Sequence, residues 1–196
     1  MARAWADSVR SAHADDPAWP RMSLESLPPL ATAGMTVLAA FAIGGPLAAW
    51  WLASRRRTAG VLAVAALVPV LVLTLSPTAR TMTFGCAIDW SPRLTAAEPL
   101  ANVLLFVPLV LLLAVATGRP VRMALAGSAL SVGIELLQAV ATPLGRSCDT
   151  SDWIANSAGS VIGAALAAVG LGFDRWHRRS LPPLEDAATR EVPVRV

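Results

Sequence analysis

Hydrophobic positions in this chain gather into five long runs, separated by short stretches that hold most of the charge. Counting residues free of Asp, Glu, Lys and Arg, Ser26 to Ser54 has 29, Thr58 to Ala79 has 22, Pro99 to Gly118 has 20 and Trp153 to Phe173 has 21. Met123 to Gly145 has 23 and is broken only by Glu135. Crossing a bilayer core takes roughly 20 apolar residues at ~1.5 Å rise each. A helix of a water-soluble protein needs a polar face, which these runs lack. Backbone polar groups in hydrocarbon must be satisfied within the span, so the runs predict helices. The apolar–polar alternation of an outer-membrane barrel is absent. The expected fold is all-α, a membrane bundle of five transmembrane helices over residues 26–180. Residues 1–25 and 181–196, rich in Pro, Ala and charge, read as disordered tails. The first tail carries Asp7, Asp15, Asp16 and Glu25 and does not have the pattern of a signal peptide. Pro46, Pro69 and Pro108 read as kinks tolerated inside a bundle, and Pro143 as a kink or the end of the fourth span.

Composition agrees with the runs. The 55% apolar and 15% charged content departs from a soluble domain in the direction a membrane protein would. The formal net charge of +3 invites a nucleic-acid partner, but the basic residues form no continuous patch. They mark topology instead. Arg55, Arg56, Arg57, Arg119, Arg122, Arg175, Arg178 and Arg179 follow spans one, three and five, against Arg21, Arg80, Arg93 and Arg146 on the other side. This asymmetry predicts an outside N-terminus and a cytoplasmic C-terminus. Trp50, Trp51, Trp153 and Trp176 sit where interfacial anchors belong. All sixteen basic residues are Arg, which beside so much Ala reads as coding bias rather than chemistry.

Cys86 follows span two and Cys148 follows span four, so both fall on one membrane side. The Arg count places that side outside, where a Cys86–Cys148 disulfide can persist. The other reading is two unpaired thiols in a reducing compartment. With His13 and His177 in opposite tails, no metal-ligand set is visible, and no cofactor is expected.

Polar residues inside the spans need a reason, because each costs free energy in hydrocarbon. Glu135 and Gln138 share one helix face in span four. Asp152 and Asn156 share one in span five, with Ser160 four further on. Asn102 opens span three, and Arg146 and Asp149 lie in the loop between spans four and five. Counted from the run ends, Gln138 is ~8–10 Å deep and Glu135 a turn deeper, with Asn102 and Asn156 within about one turn of the outer boundary. Three spans thus bring polar groups to one zone, an outward polar cleft. Arg146 would suit a phosphate or carboxylate and the carboxamides a sugar or amide. Three readings stay open: a binding site, a hydrogen-bonded brace between helices, and acid–base catalysis. No Ser–His pair accompanies the carboxylates, so the reading leans away from an enzyme. Asp152 reads as the N-cap of span five, with Trp153 at N1. Gly159 and Gly163, extended by Ala155 and Ala167, predict close approach of another helix, span three or four rather than a second subunit.

Three stretches in this order resemble the VanZ-like family of bacterial membrane proteins: Asn102-Val103-Leu104-Leu105-Phe106-Val107-Pro108; Glu135-Leu136-Leu137-Gln138 with Gly145-Arg146 and Asp149; and Asp152-Trp153-Ile154-Ala155-Asn156-Ser157-Ala158-Gly159 with Gly163. The resemblance covers about Leu100 to Gly170 and leaves out the first two spans and the cysteines. Val110 departs from it, standing where the family often has Gly. The family takes its name from an accessory protein that gives low-level resistance to the glycopeptide teicoplanin. The resemblance therefore implies a cell-envelope protein of the plasma membrane, with no reaction attached. It carries over Asn102, Glu135, Gln138, Arg146, Asp149, Asp152 and Asn156 as the shared set. The expected partner is a membrane lipid or a lipid-linked envelope precursor, not nucleic acid.

Overall fold

A computed structural model of the chain describes residues 28–77, 86–90, 93, 96–141 and 148–180. Both tails and Arg146 lie outside these residues. Five long helices occupy the described chain: α1 (Pro28–Leu52), α2 (Arg56–Leu75), α3 (Ala97–Thr117), α4 (Pro120–Val140) and α5 (Thr150–Ser180). Each is long and apolar enough to cross a membrane, the architecture of a multi-pass membrane protein. Two short strands, β1 (Cys86–Ala87) and β2 (Cys148–Asp149), pair in parallel.

The helix ends follow local chemistry. Gly118 closes α3 in the left-handed conformation, at φ 67°, its N–H donating to the Ala114 carbonyl. Pro120 then opens α4 at a position where its missing N–H costs nothing. α4 stops at Val140, short of the Gly145 expected from the charge-free run. Pro143 follows three residues on, and the residue before a proline is driven out of helical conformation. Pro46, Pro69 and Pro108 all lie inside helices.

α5 begins at Thr150, three residues before the run does. This corrects the capping assignment. Asp152 sits inside the first turn, and Asp149 takes the capping role, its carboxylate accepting from the Ser151 N–H at 2.8 Å.

α3 is the central helix and packs against the other four. Phe106, Val107, Leu109 and Val110 at its middle are buried. Its closest partner is α5. A Cβ built at Gly159 would overlap the Val103 carbonyl oxygen, and one at Gly163 the Val107 carbonyl oxygen. The small residues therefore let two backbones touch, and the helix they admit is span three. Gly170 does the same for α1, against the Pro46 carbonyl.

The polarity is inverted relative to a soluble protein. Ile43, Val61, Val64, Val121 and Leu125 point outward and are exposed, while Ser131, Glu135, Gln138, Asn156 and Ser160 are buried. Lipid makes both halves of that pattern favourable.

Candidate functional site

α1, α3 and α5 begin at one end of the bundle, where α2 and α4 finish. At that end the helices enclose a cavity of about 440 Å³ to which all five contribute. Leu30 and Gly34 come from α1, Leu73 and Thr74 from α2, Glu98 and Asn102 from α3. Glu135 and Gln138 come from α4, and Asp152 and Asn156 from α5. Leu100, Leu104 and Leu105 extend the apolar wall. The lining thus combines carboxylates and carboxamides with leucines.

Five of the seven residues singled out from sequence line this cavity: Asn102, Glu135, Gln138, Asp152 and Asn156. Asp149 stands behind it, donating its backbone N–H to Glu135 Oε2 at 2.8 Å. Arg146 lies outside the described residues. The depths differ from those counted on the runs. Glu135 and Gln138 are five and two residues from the end of α4, so roughly 8 and 3 Å inside it. Asn102 and Asn156 are five and six residues inside α3 and α5, about 8 and 9 Å. Glu135 is therefore shallower than the run count gave: it meets the Asp149 N–H just before α5 begins, while Asn156 meets Ser131, one turn further inside α4.

The polar side chains cross-link the helices. Asn102 Nδ2 donates to Asp152 Oδ1 at 2.7 Å, joining α3 to α5. Asn156 Nδ2 donates to Ser131 Oγ at 2.9 Å, joining α5 to α4. Gln138 Nε2 donates to the Thr74 carbonyl at 2.8 Å, joining α4 to α2. Ser160 turns back on its own helix, to the Asn156 carbonyl. Ser128 on α4 and Ser157 on α5 also pair, at 2.7 Å. Two oxygens are left over. Gln138 Oε1 and Asn156 Oδ1 are buried with no hydrogen-bond partner.

Cys86 and Cys148 are disulfide-bonded, with Cα atoms 4.5 Å apart. The bond is reinforced by the β1–β2 pair and by Thr150 Oγ1, which donates to the Asp89 carbonyl at 2.9 Å and accepts from the Asp89 N–H at 2.8 Å. Together these hold residues 86–89 against the start of α5. The backbone N–H that Glu135 uses lies one residue from the bridged Cys148.

Residues 32–171 match the model of the VanZ/LLP1 family. The chain belongs to that family. The match reaches further than the motifs from Leu100 to Gly170, taking in the first two spans and both cysteines, so the VanZ/LLP1 region includes every wall of the cavity except Leu30. No curated protein and no solved structure matches the chain.

Some of this site escaped sequence reading. Thr74 enters through its backbone carbonyl, which no residue pattern marks. Ser131 lies four residues before Glu135 on the same helix face, a spacing that could have flagged it. Glu98, in the first turn of α3, was passed over because it falls just before the charge-free run.

At the other end of the bundle the chemistry is different. Arg55 lies over the Trp51 ring, 4.1 Å from its centroid, and His177 meets Trp50 edge-on with ring centroids 6.3 Å apart. Trp50, Trp51 and Trp176 are exposed, as interfacial anchors are. Trp153 is half-buried instead, its indole N–H buried without a partner and outside the cavity lining.

Proposed function

We propose that this VanZ/LLP1 member sits in the bacterial plasma membrane with its cavity open to the outer leaflet. There it binds the headgroup end of a lipid-linked envelope component or a lipophilic glycopeptide. One observation carries the reading: a cavity of about 440 Å³ is lined both by Asn102, Glu135, Gln138, Asp152 and Asn156 and by leucines. That volume is within the ~300–1,000 Å³ typical of small-molecule sites. A lining of both kinds suits a ligand with a polar head and an apolar chain. The outward orientation is supported by Arg55, Arg56, Arg57, Arg119, Arg122, Arg175, Arg178 and Arg179, which all lie at the opposite end. A bridged cysteine pair at the cavity end fits an oxidising exterior. A role in tolerance of teicoplanin-type antibiotics belongs to this reading.

The test is deletion of the gene, with complementation by wild type and by Glu135→Gln. Gln keeps an oxygen to accept the Asp149 N–H and removes the charge. Growth is scored across glycopeptides and other envelope stresses, with protein level measured in membranes. The binding reading expects Glu135→Gln to accumulate normally and fail to complement. A deletion with no envelope phenotype would sink it.

The cross-links favour a second reading, in which the cluster braces the bundle. Asn102–Asp152, Asn156–Ser131 and Gln138–Thr74 tie four helices at one end. Under bracing, Glu135→Gln lowers the protein level and loses function only in proportion.

A further inference from the structure

A second cavity lies on the seam between α1 and α3, further along both helices. It is a groove of about 470 Å³ to which α1 contributes Val37, Phe41, Gly44 and Ala48 and α3 contributes Pro108 and Leu112. No residue lining it carries a polar side chain. Helical spacing puts this groove and the outer cavity on the same faces. On α1, Leu30 and Gly34 line the cavity and the four groove residues follow, each three or four positions after the last. On α3, Ala101 and Leu105 line the cavity, and Pro108 and Leu112 continue into the groove at the same spacing. One uncharged stripe of each helix therefore leads from the cavity into the groove. On the central helix that stripe is left uncovered. Ala101, Leu105, Pro108 and Leu112 keep accessible surface, whereas Phe106, Val107, Leu109 and Val110 around them are buried. On α1 the stripe is low. A Cβ built at Gly44 meets nothing within 4 Å, and Ala48 is exposed.

Depth decides what fits. α3 has 21 residues, so at ~1.5 Å each it is about as long as a ~30 Å bilayer core is thick. The midplane then lies ~15 Å below Ala97, about ten residues down the helix. Pro108 and Leu112 are 11 and 15 residues below Ala97, roughly 16 and 22 Å, so the α3 wall of the groove lies wholly beyond the midplane. The chains of a two-tailed lipid in the outer leaflet end where that wall begins. A stripe one side chain wide on each helix also suits one chain rather than two. We infer that cavity and groove together hold a lipid with a single chain longer than one leaflet, the property of a polyprenyl lipid, its polar head in the cavity and its chain along the α1–α3 seam. This deepens the proposed binding function and rests on it.

The experiment uses the full-length protein in phosphatidylcholine nanodiscs. Three probes share a hydroxyl head and differ in chain: undecaprenol, farnesol and dioleoylglycerol. Bound probe per protein is read by native mass spectrometry. Wild type is expected to retain undecaprenol at least about fivefold better than either other probe, a modest factor because packing alone separates the groove from surrounding lipid tails. Gly44→Phe puts a ring into the groove where no protein atom stands, so it should accumulate normally and bring undecaprenol down to the level of farnesol. Should that variant fail to fold, Ala48→Leu takes its place with the same expected loss. Undecaprenol held equally by wild type and the groove variant would overturn the inference. Equal retention of all three probes would do so too, and would leave the binding cavity standing. A wild-type dimer made monomeric by Gly44→Phe would assign the α1 stripe to a second copy of the chain and overturn the inference as well. Retention of none of the probes would overturn it, while the proposed function answers separately to its complementation test.

Discussion

Two ladders of four-residue spacing run side by side along α5. Asp152, Asn156 and Ser160 form one; Ala155, Gly159, Gly163 and Ala167 form the other. The first reaches outward with polar atoms, to Asn102 on α3 and Ser131 on α4. The second works through atoms that are missing, so that the α3 backbone can rest on it. Both faces are buried for most of their length. They differ in what a substitution removes. On the polar face it removes a partner, and the helix can stay where it is. On the small-residue face it adds atoms where a backbone already lies, and the helix must move.

The sharpest way to break this contrast is at Gly159. Valine there drives side-chain atoms into the Val103 carbonyl, which belongs to the central helix and cannot swing aside as a side chain can. Overpacking of this kind costs about 1–3 kcal/mol when neighbours can give, and more when they cannot. Gly159→Val is expected to lose at least ~3 kcal/mol on that scale and to be nearly absent from membranes. A variant present at wild-type level, with an unchanged melting temperature in detergent, would show that α3 and α5 do not touch as described.

On the polar face the expected loss is smaller. Asn156→Ala removes the bond to Ser131 Oγ and, with it, an amide whose oxygen was already unpartnered. Interhelical hydrogen bonds in membranes are worth about 0.6–2 kcal/mol, and a loss in that range is expected. Ser131→Ala should cost a similar amount, because it strands the Asn156 amide. The pair lends itself to a double-mutant cycle. Melting temperatures of both single variants and the double variant should give a coupling of at least about 0.5 kcal/mol. Strict additivity would mean the two side chains stabilise the bundle separately, and the polar face would lose its distinguishing property.

The two ladders were not equally legible in the sequence. The spans themselves were, because hydrocarbon leaves a chain no alternative to long charge-free helices. The polar set was legible for the same reason: Glu135, Gln138 and Asn156 stand out against leucine and alanine since lipid makes them costly. Their partners were not. Whether Gln138 meets Thr74 or Asn156 meets Ser131 depends on how each helix is rotated about its axis, and hydropathy says nothing of rotation. The ends of α4 and α5 also moved, by five and three residues, because charge-free length ignores Pro143 and the Asp149 cap. That shift is why the depth order of Glu135 and Asn156 had to be redrawn. The Gly159–Gly163 spacing pointed to a close neighbour and narrowed it to two helices. Gly170 was missed because it falls three residues after Ala167, off a strict four-residue count, though both spacings share a face.

Gly172 supplies the smallest effect and the cleanest control. It lies in α5 near Gly170, yet a Cβ built on it meets nothing within 4 Å. If glycine matters in this helix only where a backbone comes close, Gly172 is dispensable. Alanine is the better helix former by up to about 1 kcal/mol, so Gly172→Ala should hold stability level or raise it by up to that amount. The same substitution at Gly170 should be damaging, because its Cβ would overlap the Pro46 carbonyl. Melting temperatures of the two variants in one detergent give the comparison directly. A loss at Gly172 comparable to that at Gly170 would mean its face is covered in the membrane. The requirement for small residues would then extend beyond the contacts of α5 with α3 and α1 to a partner outside the bundle.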